Sequence, residues 1–223
     1  MKILLSTINA RYSHTSFGLR YLKAISRSQN EEKTLKNLEF ITKETGAIIH
    51  SDLVVGLPYA TLETFKDDFN KIMQSDPQEL QIGILKRLRG APIDRHTTDC
   101  KMIYSKHPPY EVMQTKDLNY LELQDLKRFA RYFDIFYNSG KFSNTMKHLL
   151  KTESDTSESF SKFSQYIWNT YNQTNKINIQ RQTLILFEYL KDKIALKRLA
   201  ESLFTDYTIA NRSDRIDYIR ELL

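Results

Sequence analysis

Residues 50–69 read HSDLVVGLPYATLETFKDDF, and residues 79–93 read ELQIGILKRLRGAPI. An apolar run closes on Gly56-Leu57-Pro58, an amphipathic segment follows, and a second apolar run closes on the basic loop from Lys86 to Pro92. This is the pattern of one βαβ unit, and both loops fall at strand C-termini, where parallel sheets place ligands. Proline cannot continue a strand ladder, so Pro58 ends the first run. Thr61 has the side chain of an N-cap, and Glu63 stands in the first turn, where the helix dipole favours a carboxylate. The spacing predicts a strand over 47–57, apolar enough at Ile48, Ile49, Leu53, Val54 and Val55 to be buried on both faces. It predicts a helix over 62–74, a turn at Asp76-Pro77 and a second strand over 79–86.

Outward from this unit, the pattern stays readable. On the N-terminal side, residues 2–8 suit a buried strand, and Ser16 can cap a helix carrying Leu19, Tyr21, Leu22 and Ile25. A second helix is expected over 31–45, with Leu35, Leu38 and Ile41 on one face and Gly46 at its C-terminal cap. On the C-terminal side, residues 100–104 suit a short strand. From Tyr120 the character turns helical, with Leu126, Phe129, Phe133 and Phe136 in helical register. Asn138-Ser139-Gly140 interrupts it. Further helices are expected over 160–171, 180–190 and 194–204, and Ser213 can cap a last one. The fold class expected is α/β or α+β: a short parallel sheet of about three strands with flanking helices, followed by an all-helical C-terminal region. Three strands cannot close a barrel.

Composition bounds the function classes. The 223 residues are 40% hydrophobic and 27% charged, an ordinary globular balance. No apolar run reaches the ~18 residues of a membrane span, and residues 2–8 are too short for a signal-peptide core. One cysteine excludes an internal disulfide framework and suggests cytoplasmic residence. The net charge of +6 permits an anionic ligand or nucleic acid, but Lys and Arg are spread along the chain, so nucleic-acid binding is not expected. No phosphate-loop or nucleophile-elbow pattern occurs.

Three blocks resemble one group of proteins. Residues 1–25, MKILLSTINARYSHTSFGLRYLKAI, look like the first strand and helix of a cobalamin-binding domain. Residues 50–92, with DLVVGLP and LQIGILKRLRGAP, look like late βα units of a radical S-adenosylmethionine (SAM) barrel. Residues 108–150, with PPYEVM and LELQDLKRFARYFDIFYNSGKF, look like the start of a helical C-terminal region of unassigned function. In that order they resemble radical SAM proteins with an N-terminal cobalamin-binding domain. The resemblance implies a 4Fe–4S cluster on a CxxxCxxC loop, SAM and cobalamin as cofactors. It divides the chain into 1–30, remnant of the cobalamin-binding domain start; 31–116, partial barrel; and 117–223, helical C-terminal domain.

The departures from that pattern carry equal weight. Cys100 stands alone, downstream of the matching strands, whereas a cluster is held by several thiolates together. A glycine-glutamate motif that meets the SAM amino group in the family is absent, the family's Gly-Glu-Thr loop reads Tyr59-Ala60-Thr61 here, and His14 lacks the context of a cobalt ligand. Between Ile25 and Glu31 the sequence jumps from the start of one domain to the late barrel. The chain therefore reads as an internally deleted relative: a decayed gene, a mis-assembled reading frame or an engineered excision.

By the resemblance, Val55, Gly56, Leu57, Pro58 and Thr61 mark a SAM-adenine strand, with Gly56 allowing close approach. Equally, Gly56-Leu57-Pro58 ends a buried strand and nothing more. Lys86, Arg87 and Arg89 either face an anionic ligand or form a solvated loop. His50 and Asp52 share a strand face, too few ligands for a metal site; Asp52 suits neighbouring backbone donors. The band Tyr110, Phe129, Tyr132, Phe133, Phe136 and Tyr137 is read as core before base-stacking surface. The function expected is that of a catalytically inactive relative of cobalamin-dependent radical SAM enzymes, with no cofactor of its own. The alternatives are a partner-binding or self-associating protein, pairing as a homo-oligomer through an exposed sheet edge, and, more weakly, a basic helical nucleic-acid binder.

Overall fold

The computed structural model describes Leu4–Ser6, Phe40 and residues 50–209. The helix expected around residues 16–25, all of the helix expected over 31–45 except Phe40, which is helical, His14, and the last helix after Ser213 lie outside the described residues. Two compact units divide the chain, one ending at Lys127 and one beginning at Arg128. The architecture is mixed α/β followed by a helical region, the class read from the sequence. No described helix is long and apolar enough to cross a membrane.

The first unit is built on a three-stranded sheet in the order β1 (Leu4–Ser6), β2 (His50–Val55), β3 (Glu79–Ile84). β2 and β3 are parallel, with His50 opposite Glu79 and Val55 opposite Ile84. β1 differs from the expectation: it runs antiparallel to β2, pairing Leu4 with Asp52 and Ser6 with His50. The α1 helix (Leu62–Met73) joins the parallel pair. Thr61 is its N-cap: the Thr61 hydroxyl accepts from the Thr64 N–H (3.2 Å), and the Thr64 hydroxyl accepts from the Thr61 N–H (2.9 Å). Threonine here does the work that Glu or Gln does in the usual capping box. Phe65, Phe69 and Ile72, spaced i, i+4, i+7, form the buried stripe. Phe69 and Ile72 are fully buried, each contributing about 2–3 kcal/mol of apolar burial.

β2 corrects a second expectation. Ser51, Leu53 and Val55 are buried, but among the described residues of the other face His50 is exposed and Asp52 and Val54 are only half-buried. On that second face His50 Nδ1 pairs with Glu79 Oε2 at 2.6 Å. Beyond β3, the Leu85 N–H donates to the Val55 carbonyl (2.9 Å), and the Leu85 carbonyl accepts from the Val112 N–H (2.8 Å). The segment around Val112 thus takes over as partner of residues 85–87 where β2 leaves off, with Arg87 N–H donating to the Tyr110 carbonyl (2.9 Å). It belongs to a small antiparallel ladder of β4 (Ile103–Tyr104) and β5 (Val112–Gln114).

The α2 helix (Tyr120–Phe133) starts at a full capping box, Asn119 Oδ1 accepting from Glu122 N–H (3.0 Å) and Glu122 Oε2 from Asn119 N–H (2.8 Å). It continues into a π-helical turn (Asp134–Asn138), and the division between the units falls inside it. The second unit adds α3 (Ser143–Leu149), α4 (Thr156–Tyr171), α5 (Ile179–Leu190) and α6 (Leu196–Ile209). Phe133, Phe136, Phe142, Phe160 and Phe163 are fully buried, with ring pairs Phe129–Phe160 at 4.8 Å and Phe136–Phe163 at 5.0 Å, edge to face. The aromatic band of α2 is therefore core, as its helical spacing indicated.

Candidate functional site

Val55, Gly56, Leu57, Pro58 and Thr61 come together at the C-terminal end of β2, and the chain itself uses most of what they offer. The Val55 carbonyl accepts from Leu85. The Ala60 N–H donates to the Leu57 carbonyl (3.1 Å), closing a turn with Pro58 second and Tyr59 left-handed at φ 65°. The Thr61 hydroxyl caps α1. Gly56 has φ +84°, and a Cβ there would lie 2.5 Å from Val112 Cγ1. The close approach that glycine permits is made by Val112 of this chain.

Around this turn, Tyr59 is exposed, its ring under Lys116 Nζ at 4.4 Å and edge-on to His96 at 6.3 Å. A hydrogen bond with the Cys100 thiol, more than any other influence, pushes its phenol up. Cys100 itself is fully buried. A 4Fe–4S cluster does not fit this sequence: one thiol cannot replace the several that hold a cluster. Among the described residues, no group of three or more His, Cys, Asp or Glu is placed to hold a metal ion. On the half-buried face of β2, burial and then the Glu79 carboxylate push the Asp52 carboxyl up, while His50 opposes them.

The basic loop after β3 opens onto a cleft of about 850 Å³. Its walls are the β3 extension with Arg87, Leu88 and Arg89, the 3-10 turn (Pro92–His96) with Asp94, and β4 with the residues after it, notably Tyr104 and Lys106. Tyr110 completes it. Arg87 Nε donates to Asp94 Oδ1 at 2.8 Å, and its guanidinium stands 5.4 Å from the centre of the Tyr104 ring. Burial, more than any other influence, pushes the Tyr104 phenol up, and its hydroxyl donates to Met102 Sδ at 3.2 Å. Arg89 and Lys106 form no ion pair among the described residues. The sequence pointed to Arg87 and Arg89 but missed Tyr104 and Lys106, and it grouped Tyr110 with the core aromatics. Tyr110 instead has φ 59° and stays 44% exposed. Its position directly after Pro108-Pro109, outside any helical run, was the available signal.

Residues 98–221, more than half of the chain, match the profile of a family described as a protein of unknown function, DUF4080. The chain belongs to the DUF4080 family. The DUF4080 domain is found C-terminal in cobalamin-binding radical SAM proteins. The match takes in the block 108–150 that the resemblance assigned to such a region. No curated protein matches the chain.

Proposed function

We propose that this DUF4080 protein is a relative of the cobalamin-dependent radical SAM enzymes that does not perform their chemistry. The single observation carrying this reading is the cysteine count: one thiol, buried in the fold, against a cluster that needs several. A second feature supports it. The crevice beyond the C-terminal ends of parallel strands is where such sheets hold ligands. Here that place beside Gly56 holds Val112.

The test is anaerobic reconstitution of the full chain with iron and sulfide, followed by metal analysis, visible absorption and an assay of SAM cleavage under reducing conditions. The expected result is no stoichiometric iron and no cleavage. Iron bound at a defined ratio, with turnover of SAM, overturns the proposal. A role in self-association is favoured by one observation: β3, six residues long, ends its sheet with no further strand beside it among the described residues. Light scattering on the same sample reads it, and a monomer at every concentration rules it out.

A further inference from the structure

The cleft beyond β3 has the chemistry of an anion site, independent of any radical centre. Its charged lining consists of Arg87, Arg89 and Lys106 against one carboxylate, Asp94. The Asp94 carboxylate is already engaged by Arg87, and that contact holds the guanidinium in place beside Tyr104. Fixing an arginine this way lowers the entropy lost when it binds an anion. Arg89 and Lys106 then remain as two cations without protein partners among the described residues. A single phosphate or sulfate is far smaller than an opening of about 850 Å³, which lies in the range of sites for nucleotide-sized ligands. The remaining lining is a flat, accessible ring and an apolar side chain: Tyr110 and Leu88 are 44% and 43% exposed. An exposed tyrosine face beside unpaired cations suits a planar base joined to phosphates.

We propose that this cleft binds a phosphorylated nucleotide, its phosphates on Arg89 and Lys106 beside the Arg87–Asp94 pair and its base against Tyr110. SAM carries a sulfonium and is the wrong charge for it.

The test is calorimetric titration of the full chain with ADP, pyrophosphate, adenosine and SAM as separate probes. ADP is expected to bind saturably, pyrophosphate to compete with it, and adenosine and SAM to show no comparable affinity. The R89Q/K106Q double variant should weaken ADP about tenfold or more at an unchanged melting temperature, whereas R89K/K106R, which keeps both charges, should retain binding. Tyr110→Ala should weaken ADP more than pyrophosphate, and Lys147→Gln, in the other unit, should change neither. The proposal fails if ADP and pyrophosphate give no saturable heat, or if R89Q/K106Q binds ADP as tightly as the unaltered protein. It also fails if adenosine binds as well as ADP, or if only single-stranded oligonucleotides bind, which would make the surface a nucleic-acid site.

Discussion

Gly56 shows how one residue can be read correctly and for the wrong partner. Its place after an apolar run marks a strand end, and its missing Cβ marks a close approach. What approaches is Val112, more than fifty positions downstream, which no local pattern reveals. Two separate causes make glycine necessary. At φ +84° a Cβ is strained by roughly 1–2 kcal/mol, and overlap with a packed methyl adds about 1–3 kcal/mol. Gly56→Ala should therefore lose about 2–5 kcal/mol in urea denaturation. Val112→Ala in the same chain should recover the overlap component but leave the backbone strain, so the two changes are non-additive. If Gly56→Ala alters stability by less than about 0.5 kcal/mol, as a neutral surface change does, Val112 does not set the requirement. Gly83, with open space around its Cβ position, is the natural control.

Elements were legible where the information sits within a few residues. Thr61 announces α1, and the spacing of Leu126, Phe129, Phe133 and Phe136 announces α2 and its core face, because caps and periodicity are local. Strand direction is not local: an apolar run such as Leu4–Ser6 has no polarity along the chain, so its antiparallel pairing could not be read. Nor could β5, a three-residue strand that pairs with β4 and whose Val112 N–H also donates to the distant Leu85 carbonyl. The same limit hides how α3 is held. Its N-cap residue, Phe142, offers no side-chain acceptor. Asp206 on α6, 98% buried, supplies both oxygens instead, accepting from Asn144 N–H (3.0 Å) and Nδ2 (2.8 Å) and from Thr145 N–H (2.9 Å) and Oγ1 (2.8 Å). Asp206 is thus a cap delivered by another helix, and it also balances the partial positive charge of the α3 N-terminus. Asp206→Ala should cost about 3 kcal/mol, since it strands buried donors, and Asp206→Asn, which keeps one oxygen, should fall between. Hydrogen exchange at the Asn144 and Thr145 amides is the specific readout. Unchanged protection in Asp206→Ala would remove this role.

At the scale of the whole molecule, each unit carries one spectroscopic or chemical reporter. The sole cysteine, Cys100, is fully buried in the first, and the sole tryptophan, Trp168, lies in the second. The described residues of the two units are unequally packed. Among the described residues, seven of the eight exposed large hydrophobics, from Phe40 to Leu121, belong to the first unit, and only Leu196 to the second. Among the described residues, one face of β2 is buried and the other only half-buried or exposed, whereas the second unit interlocks five fully buried phenylalanines. Less apolar area removed from water means a lower opening free energy. Cys100 should accordingly become reactive toward a thiol reagent at a lower urea concentration than that at which Trp168 fluorescence changes. A single cooperative unit would instead give coincident midpoints, the signature of two-state unfolding. Gly56→Ala should shift the thiol transition and leave the fluorescence transition in place, while Asp206→Ala should do the reverse. Superimposable curves for both reporters in all three proteins would show that the units share one stability.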